Sequence, residues 1–239
     1  MNNWFEFKAF AGSRKLYLYD DIGKGGTTAK AFREELEKFK GPIDIHINSA
    51  GGVVTEGISI YNTLLAYTGK KTVYIDSLAA SMASVIAMAG NQIFMPENAL
   101  MMLHNPWGNA AGDSRELRKT ADILDLMKSA MIDAYHLKSG IDREELTALL
   151  DNETWMNGNA ALNAGFIDGL SGQVSEEEIS QRKQAVVKGK IKLFEEAETA
   201  STFDIRESAQ KIMSARRNAP GTAIFKTQNQ KPSNYLGIK

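Results

Sequence analysis

The chain has 239 residues, of which 43% are hydrophobic and 24% charged, proportions of a folded globular protein rather than a disordered one. Its 28 basic and 29 acidic residues leave a formal net charge of -1, which supplies no general attraction to nucleic acid or to an anionic membrane. It contains no cysteine, which excludes disulfides, thiolate nucleophiles and cysteine-ligated zinc, so a hydroxyl nucleophile has to be serine or threonine.

The first residues, Met1 to Phe7, mix aromatics with Asn, Glu and Lys and lack the apolar middle of a secretory signal. No apolar run approaches the roughly 18 residues of a membrane span, so a cytoplasmic protein is expected. Alternation in Lys15 to Tyr19 predicts the first strand, and helical spacing predicts a helix over Thr28 to Phe39. Ile43, Ile45 and Ile47 alternate with Asp44 and His46 in a second strand that runs into the turn Ser49-Ala50-Gly51-Gly52, and a helix follows from about Thr55 to Tyr67. A β-branched strand over Lys71 to Asp76 leads through a turn at Ser77 to Ala80 into a small-residue helix that begins near Ser81. Short strands fit Gln92 to Met95 and Leu100 to Leu103. Asp113, with Glu116 three residues on, caps a long helix that Gly140 ends. Asp142 with Glu145 opens a helix to about Leu150, and Gly158 to Ala164 forms another. Strands alternating with helices at this spacing define an α/β domain. Past Gly172 the composition turns Lys- and Glu-rich and then polar, which predicts a core domain over 1–172 and a charged C-terminal extension, helical or partly disordered, over 173–239.

Hydroxyl catalysis needs a base within hydrogen-bond reach, a group that orients the base, and N–H donors aimed at the developing oxyanion. Of the three histidines, His46 lies mid-strand and His136 lies in the long helix, where structural or surface roles are expected. His104 sits where a strand runs into a proline-containing loop, a position that favours function. Ser81 stands at a strand-to-helix turn among small residues, an arrangement that aims a hydroxyl and free backbone N–H groups at one point. The same serine read alone is better explained as a helix cap in a tightly packed turn, and Gly51-Gly52 read alone is no more than a strand-to-helix turn. The Gly23 to Thr28 segment lacks the spacing of a Walker nucleotide loop, and no metal or cofactor site is suggested.

Four segments in order resolve the ambiguity. Asn48-Ser49-Ala50-Gly51-Gly52-Val53 resembles the Asn-Ser-Pro-Gly-Gly-Val turn of ClpP peptidases, and Ala79-Ala80-Ser81-Met82-Ala83 resembles their Ala-Ala-Ser-Met-Gly nucleophile segment. Met101-Met102-Leu103-His104-Asn105-Pro106 is similar to their Met-Ile-His-Gln-Pro segment, and Ala161 to Asp168 to their Ala-x-x-x-Gly-Leu-x-Asp ending. The likeness spans about Lys15 to Leu170, and the long helix falls where the family has the handle helix used in ring pairing. It implies a ClpP/crotonase-like fold of repeated strand-helix units and a serine endopeptidase with Ser81 as nucleophile and His104 as base. The Gly52 and Met82 N–H groups are then the oxyanion hole. Counting back from Gly165 places the family's acid on Glu153, with Asp151 as the fallback.

Ala50 stands where the family has proline, and Ala83 where it has glycine. The resemblance further implies a homo-oligomeric ring, a heptamer or stacked rings, acting on protein or peptide substrates. The short run before Lys15, the extension after Gly172 and Glu153-Thr154-Trp155-Met156 lean toward the phage and prophage head-maturation branch, with capsid or scaffold proteins as partners. A housekeeping subunit served by an unfoldase ATPase, a crotonase-like acyl-CoA enzyme and an inactive ring-forming structural protein are the alternatives.

Overall fold

The computed structural model describes residues 4–10, 13–23, 25, 28–172 and 184; the extension over 173–239 lies almost entirely outside the described residues. The chain divides into two units, Met1–Val174 and Ser175–Lys239. The first is built from β1 (Phe5–Phe10), β2 (Ser13–Leu18), α1 (Ala29–Leu36), β3 (Ile43–Ser49), α2 (Val54–Ala66), β4 (Lys71–Ala80), α3 (Met82–Ala87), β5 (Gln92–Met95), β6 (Leu100–Leu103), α4 (Ser114–Ser139), α5 (Arg143–Asp151), β7 (Thr154–Asn157), α6 (Gly158–Asn163) and β8 (Gly169–Leu170).

The strands form one mixed sheet in the order β1-β2-β3-β4-β5-β8. β1 pairs antiparallel with β2, whereas β2, β3, β4, β5 and β8 run parallel. β4 is the branch point. Its first half, Thr72 to Tyr74, pairs with β5, and its last three residues pair with β6, Leu78 with Leu100 through Ala80 with Met102. β7 then pairs antiparallel with β6, Leu103 opposite Thr154. The mixed α/β architecture agrees with the sequence reading, and four details differ from it. Phe5 to Phe10 is a strand, so the first strand begins ten residues earlier than Lys15. Ser77 to Ala80 continues β4 rather than turning, because β6 supplies the ladder partners that Ser and Ala propensity does not predict. β7 and β8, too short to show a period, were not anticipated.

Burial follows the period-two pattern in β3, where Ile43, Ile45, Ile47 and Ser49 point into the core and the intervening residues do not. Helices α2 and α3 cover that face, with Ile60, Leu64, Met82, Val85 and Ile86 buried. α3 is buried on all six residues, which explains its lack of polar side chains beyond Ser84. Asp113 caps α4 through a full capping box with Glu116, and Gly140 ends it in the left-handed conformation at φ 72°. The buried residues of α4 all fall within Met131 to Tyr135, and Leu117, Ile123 and Leu126 nearer its start are exposed. Among the described residues no helix is long and apolar enough to cross a membrane.

At the β1 edge, Trp4, Phe5, Phe7 and Phe32 form an aromatic cluster, with Phe32 centred 5.3 Å from Phe5 and 5.5 Å from Phe7. Trp4 stacks on Phe32 at 6.0 Å, and Phe32 is fully buried. This cluster fastens α1 to the first hairpin. Phe32→Ala is expected to destabilise the domain by about 3–5 kcal/mol, read as a lower urea midpoint; a loss below about 1 kcal/mol would show that the hairpin is held elsewhere.

Candidate active site

The parallel strands β3, β4 and β6 end on one side of the sheet, and each delivers a candidate segment there. β3 runs into Ala50-Gly51-Gly52, β4 into Ser81 and β6 into His104. Carboxyl ends of parallel strands are where α/β folds place their ligand sites, because loops converge there without interrupting the ladder. His104 Nε2 lies 2.8 Å from Ser81 Oγ, a hydrogen bond between two residues 23 apart in sequence.

Ser81 has φ 54° and ψ -126°, a sparsely populated backbone region for a residue with a Cβ. The turn from β4 into α3 is therefore strained at its hydroxyl-bearing residue, as in other strand-to-helix turns that present a serine. The turn is tied by Ser81 N–H donating to Met102 O at 2.9 Å, and by Ser84 and Val85 N–H donating to Ser81 O at 3.0 and 3.3 Å. Ser81 makes no side-chain capping bond, so its hydroxyl is committed to His104 rather than to the helix end.

The glycine turn stands against this elbow. Gly51 has φ 100°, and a Cβ there would lie 2.7 Å from both Ala80 O and Ser81 Cβ and 2.9 Å from Met82 N. Gly52 has φ 148°, and a Cβ there would lie 2.2 Å from Ile22 O. Both glycines are required by close backbone approach as well as by conformation. The bridge to Ile22 uses Gly51 O and the Val53 N–H, which leaves the Gly52 N–H outside it. Met82 opens α3, so its N–H has no partner within that helix.

A cavity of about 770 Å³ opens over Ser81 and His104. Its walls include Val53, Val54, Pro106, Trp107, Ile123 and Met127, so its lining is chiefly apolar, with α4 forming one side. A groove of about 840 Å³ between α1 and α2 has no histidine in its walls and lies apart from the Ser81–His104 pair.

The register of β6 with β7 brings the backbone of Glu153 beside that of His104, since Leu103 pairs with Thr154. Glu153 has φ 46°, and its exposed carboxylate accepts a hydrogen bond from Trp155 Nε1 at 3.1 Å. Asp151 closes α5, and its Oδ1 accepts from Asn105 Nδ2 at 2.7 Å and from Lys128 Nζ at 2.5 Å. Among the described residues Ser81 is the hydrogen-bond partner of the His104 ring, and neither carboxylate reaches it here. The other two histidines are engaged elsewhere. His46 pairs with Asp76 at 2.9 Å and stacks between Tyr17 and Tyr74, and His136 Nδ1 donates to Ile141 O at 2.7 Å.

The family model for Clp protease matches residues 7–174. The chain belongs to the Clp protease family, and the class of protein is thus a serine-type peptidase. Among curated proteins it is similar to the ATP-dependent Clp protease proteolytic subunit 1 of Chlamydia trachomatis serovar D, 28% identical over 165 residues, or 66% of this chain and 86% of that protein. The same subunit from serovar A matches to the same extent.

The hydrogen bond from Asn105, and then the ammonium of Lys128, hold the Asp151 carboxyl below its ordinary value of 3.8. A depressed folded-state pKa stabilises above the unfolded value and loses that contribution as pH falls through the folded value. Asp151→Asn should therefore melt below the wild type at neutral pH, and the two should converge as pH falls below the ordinary carboxylate range. A gap independent of pH would show that the ionised carboxylate is not what the contact holds.

Proposed function

We propose that this chain is a serine endopeptidase in which Ser81 is the nucleophile and His104 the general base. The observation that carries this reading is the 2.8 Å Ser81–His104 hydrogen bond at a strained strand-to-helix turn facing an apolar cavity. His104 Nε2 takes the Ser81 proton as Oγ attacks the peptide carbonyl, and the Gly52 and Met82 N–H groups receive the oxyanion. The protonated imidazole then gives its proton to the leaving amine, and water, deprotonated by His104, releases the acyl-enzyme. Glu153 is the proposed acid: rotation of its side chain away from Trp155 directs the carboxylate to a ring whose backbone it already adjoins. Asp151 is the fallback, with Asn105 and Lys128 as the contacts it would have to release.

The apolar walls of the cavity favour uncharged, apolar substrate side chains beside the scissile bond. Exposed Leu117, Ile123 and Leu126 on α4 support pairing with another copy of the chain in a ring assembly. Ser81→Ala is expected to abolish labelling by a fluorophosphonate, and His104→Ala to slow it by about 10² or more. Undiminished labelling of Ser81→Ala would overturn the assignment.

Within the family, we assign the chain to the head-maturation branch, acting on capsid or scaffold proteins in a host cytoplasm, on the strength of the Glu153 to Met156 segment and the 65-residue unit Ser175–Lys239. The similarity to an ATP-dependent proteolytic subunit favours a second reading, a subunit fed by an unfoldase. Intact-mass analysis of purified protein should show slow loss of the C-terminal unit from the wild type and not from Ser81→Ala. A stable full-length wild type that instead degrades an unfolded protein only with an added ATPase would select the second reading.

A further inference from the structure

One buried serine touches both carbonyls that define the conformation of Ser81. Ser84 Oγ lies 2.6 Å from Ser81 O and 2.9 Å from Met102 O, and Met102 O is the acceptor of the Ser81 N–H. The third neighbour of Ser84 Oγ is Tyr135 Oη at 2.8 Å, contributed by α4. Both side chains are fully buried.

Proton counting fixes the direction of this chain. A serine hydroxyl has one proton, and carbonyl oxygens only accept. Were Ser84 to donate to Tyr135, it would face two carbonyls across short distances with no hydrogen between them. Ser84 therefore shares its one proton between the two carbonyls in a bifurcated bond, and Tyr135 donates to Ser84. Burial pushes the Tyr135 hydroxyl well above its ordinary 10.0, which keeps that donor protonated throughout any working range. Tyr135 is itself packed edge-on against Phe166 at 5.9 Å, so its hydroxyl is held in place by the core.

We propose that Ser84 and Tyr135 are positioning residues for the nucleophile: the Tyr135–Ser84 relay clamps the peptide planes on either side of Ser81 and so aims its hydroxyl at His104. The relay also joins the elbow to α4, the helix that forms one wall of the cavity. The inference rests on Ser81 being the nucleophile. Without the clamp, the Ser81 carbonyl keeps only the N–H bonds from Ser84 and Val85, at 3.0 and 3.3 Å, and a shift of Oγ by an ångström or less is enough to slow attack by up to about 10²-fold.

The test is the rate of fluorophosphonate labelling as a function of probe concentration, which separates the maximal inactivation rate from probe affinity. Ser84→Ala should lower the maximal rate about tenfold to a hundredfold with affinity unchanged. Tyr135→Phe removes one hydroxyl and leaves the ring, so it should fold and slow labelling in the same direction by less. The double variant should be no slower than Ser84→Ala, because Tyr135 acts through Ser84. A purely structural role would lower the melting temperature and leave the maximal rate alone, and a wild-type rate in either folded variant overturns the proposal. A double variant slower by the product of the two single effects overturns the relay. If Ser84→Ala fails to fold, the rate of Tyr135→Phe decides by itself. Failure of wild-type Ser81 to label would instead sink the peptidase reading, and the two failures are therefore distinct.

Discussion

The pairing of β4 with two different partners is the constraint from which the site follows. A strand that kept one neighbour along its length would carry Ser81 away from the His104 segment. Because its last three residues leave β5 and pair with β6, the ends of β4 and β6 lie side by side, and Ser81 and His104 emerge as neighbours. The register shift between β3 and β4, after Ile47, has a similar effect on the other side, bringing Ser49 opposite Ala79 and the glycine turn against the elbow. β7 extends the same branch and places Glu153 beside His104. Backbone hydrogen bonds, which are numerous and directional, thus fix the relative positions of groups that make few contacts with one another.

Strain at Ser81 is the local cost of this arrangement. A residue in such a conformation is typically disfavoured by about 1–3 kcal/mol, and it persists because its surroundings leave no alternative. The Ser81 N–H and C=O are both tied, the segment on either side is regular strand and helix, and α3 is buried on every residue. Gly51 completes the enclosure: only a residue without a Cβ lets the turn approach Ser81 so closely. The strain therefore shapes the site instead of relaxing into the loop.

The contrast with His46 and Asp76 is instructive. Their pair, at 2.9 Å with Tyr19 also donating to Asp76, has more of the hydrogen-bonding pattern of a catalytic dyad than anything around His104. It stands on the half-exposed face of the sheet, with the imidazole stacked between Tyr17 and Tyr74 at 5.0 and 5.2 Å. Neither residue is among those lining the cavity over Ser81. A histidine and a carboxylate in contact are chemically competent only where substrate, nucleophile and N–H donors also meet. Partial burial of the neighbouring Tyr19 hydroxyl and its bond to Asp76 push its pKa up to about 12, so Tyr19 remains the proton donor to Asp76.

Much of this was legible in the linear chain. Alternation of isoleucines, capping residues such as Asp113 and the order of four short segments were enough for the α/β class, the helix bounds and the pairing of Ser81 with His104, because each is a local or ordinal property of the sequence. The continuation of β4 through Ser77 to Ala80, and the strands β1, β7 and β8, were not legible, since their stability comes from partners far along the chain rather than from their own residues. The carboxylate of Glu153 illustrates the remaining limit: its position in the sequence determined which strand end it occupies, but the direction of its side chain depends on a left-handed backbone and a bond from Trp155. Likewise Ser84 reads in sequence as one more small helix residue. Only the packing of α4 against α3 decided that its hydroxyl meets Tyr135 and touches the two carbonyls beside Ser81, because hydrogen bonds between residues 51 apart are created by tertiary contact alone.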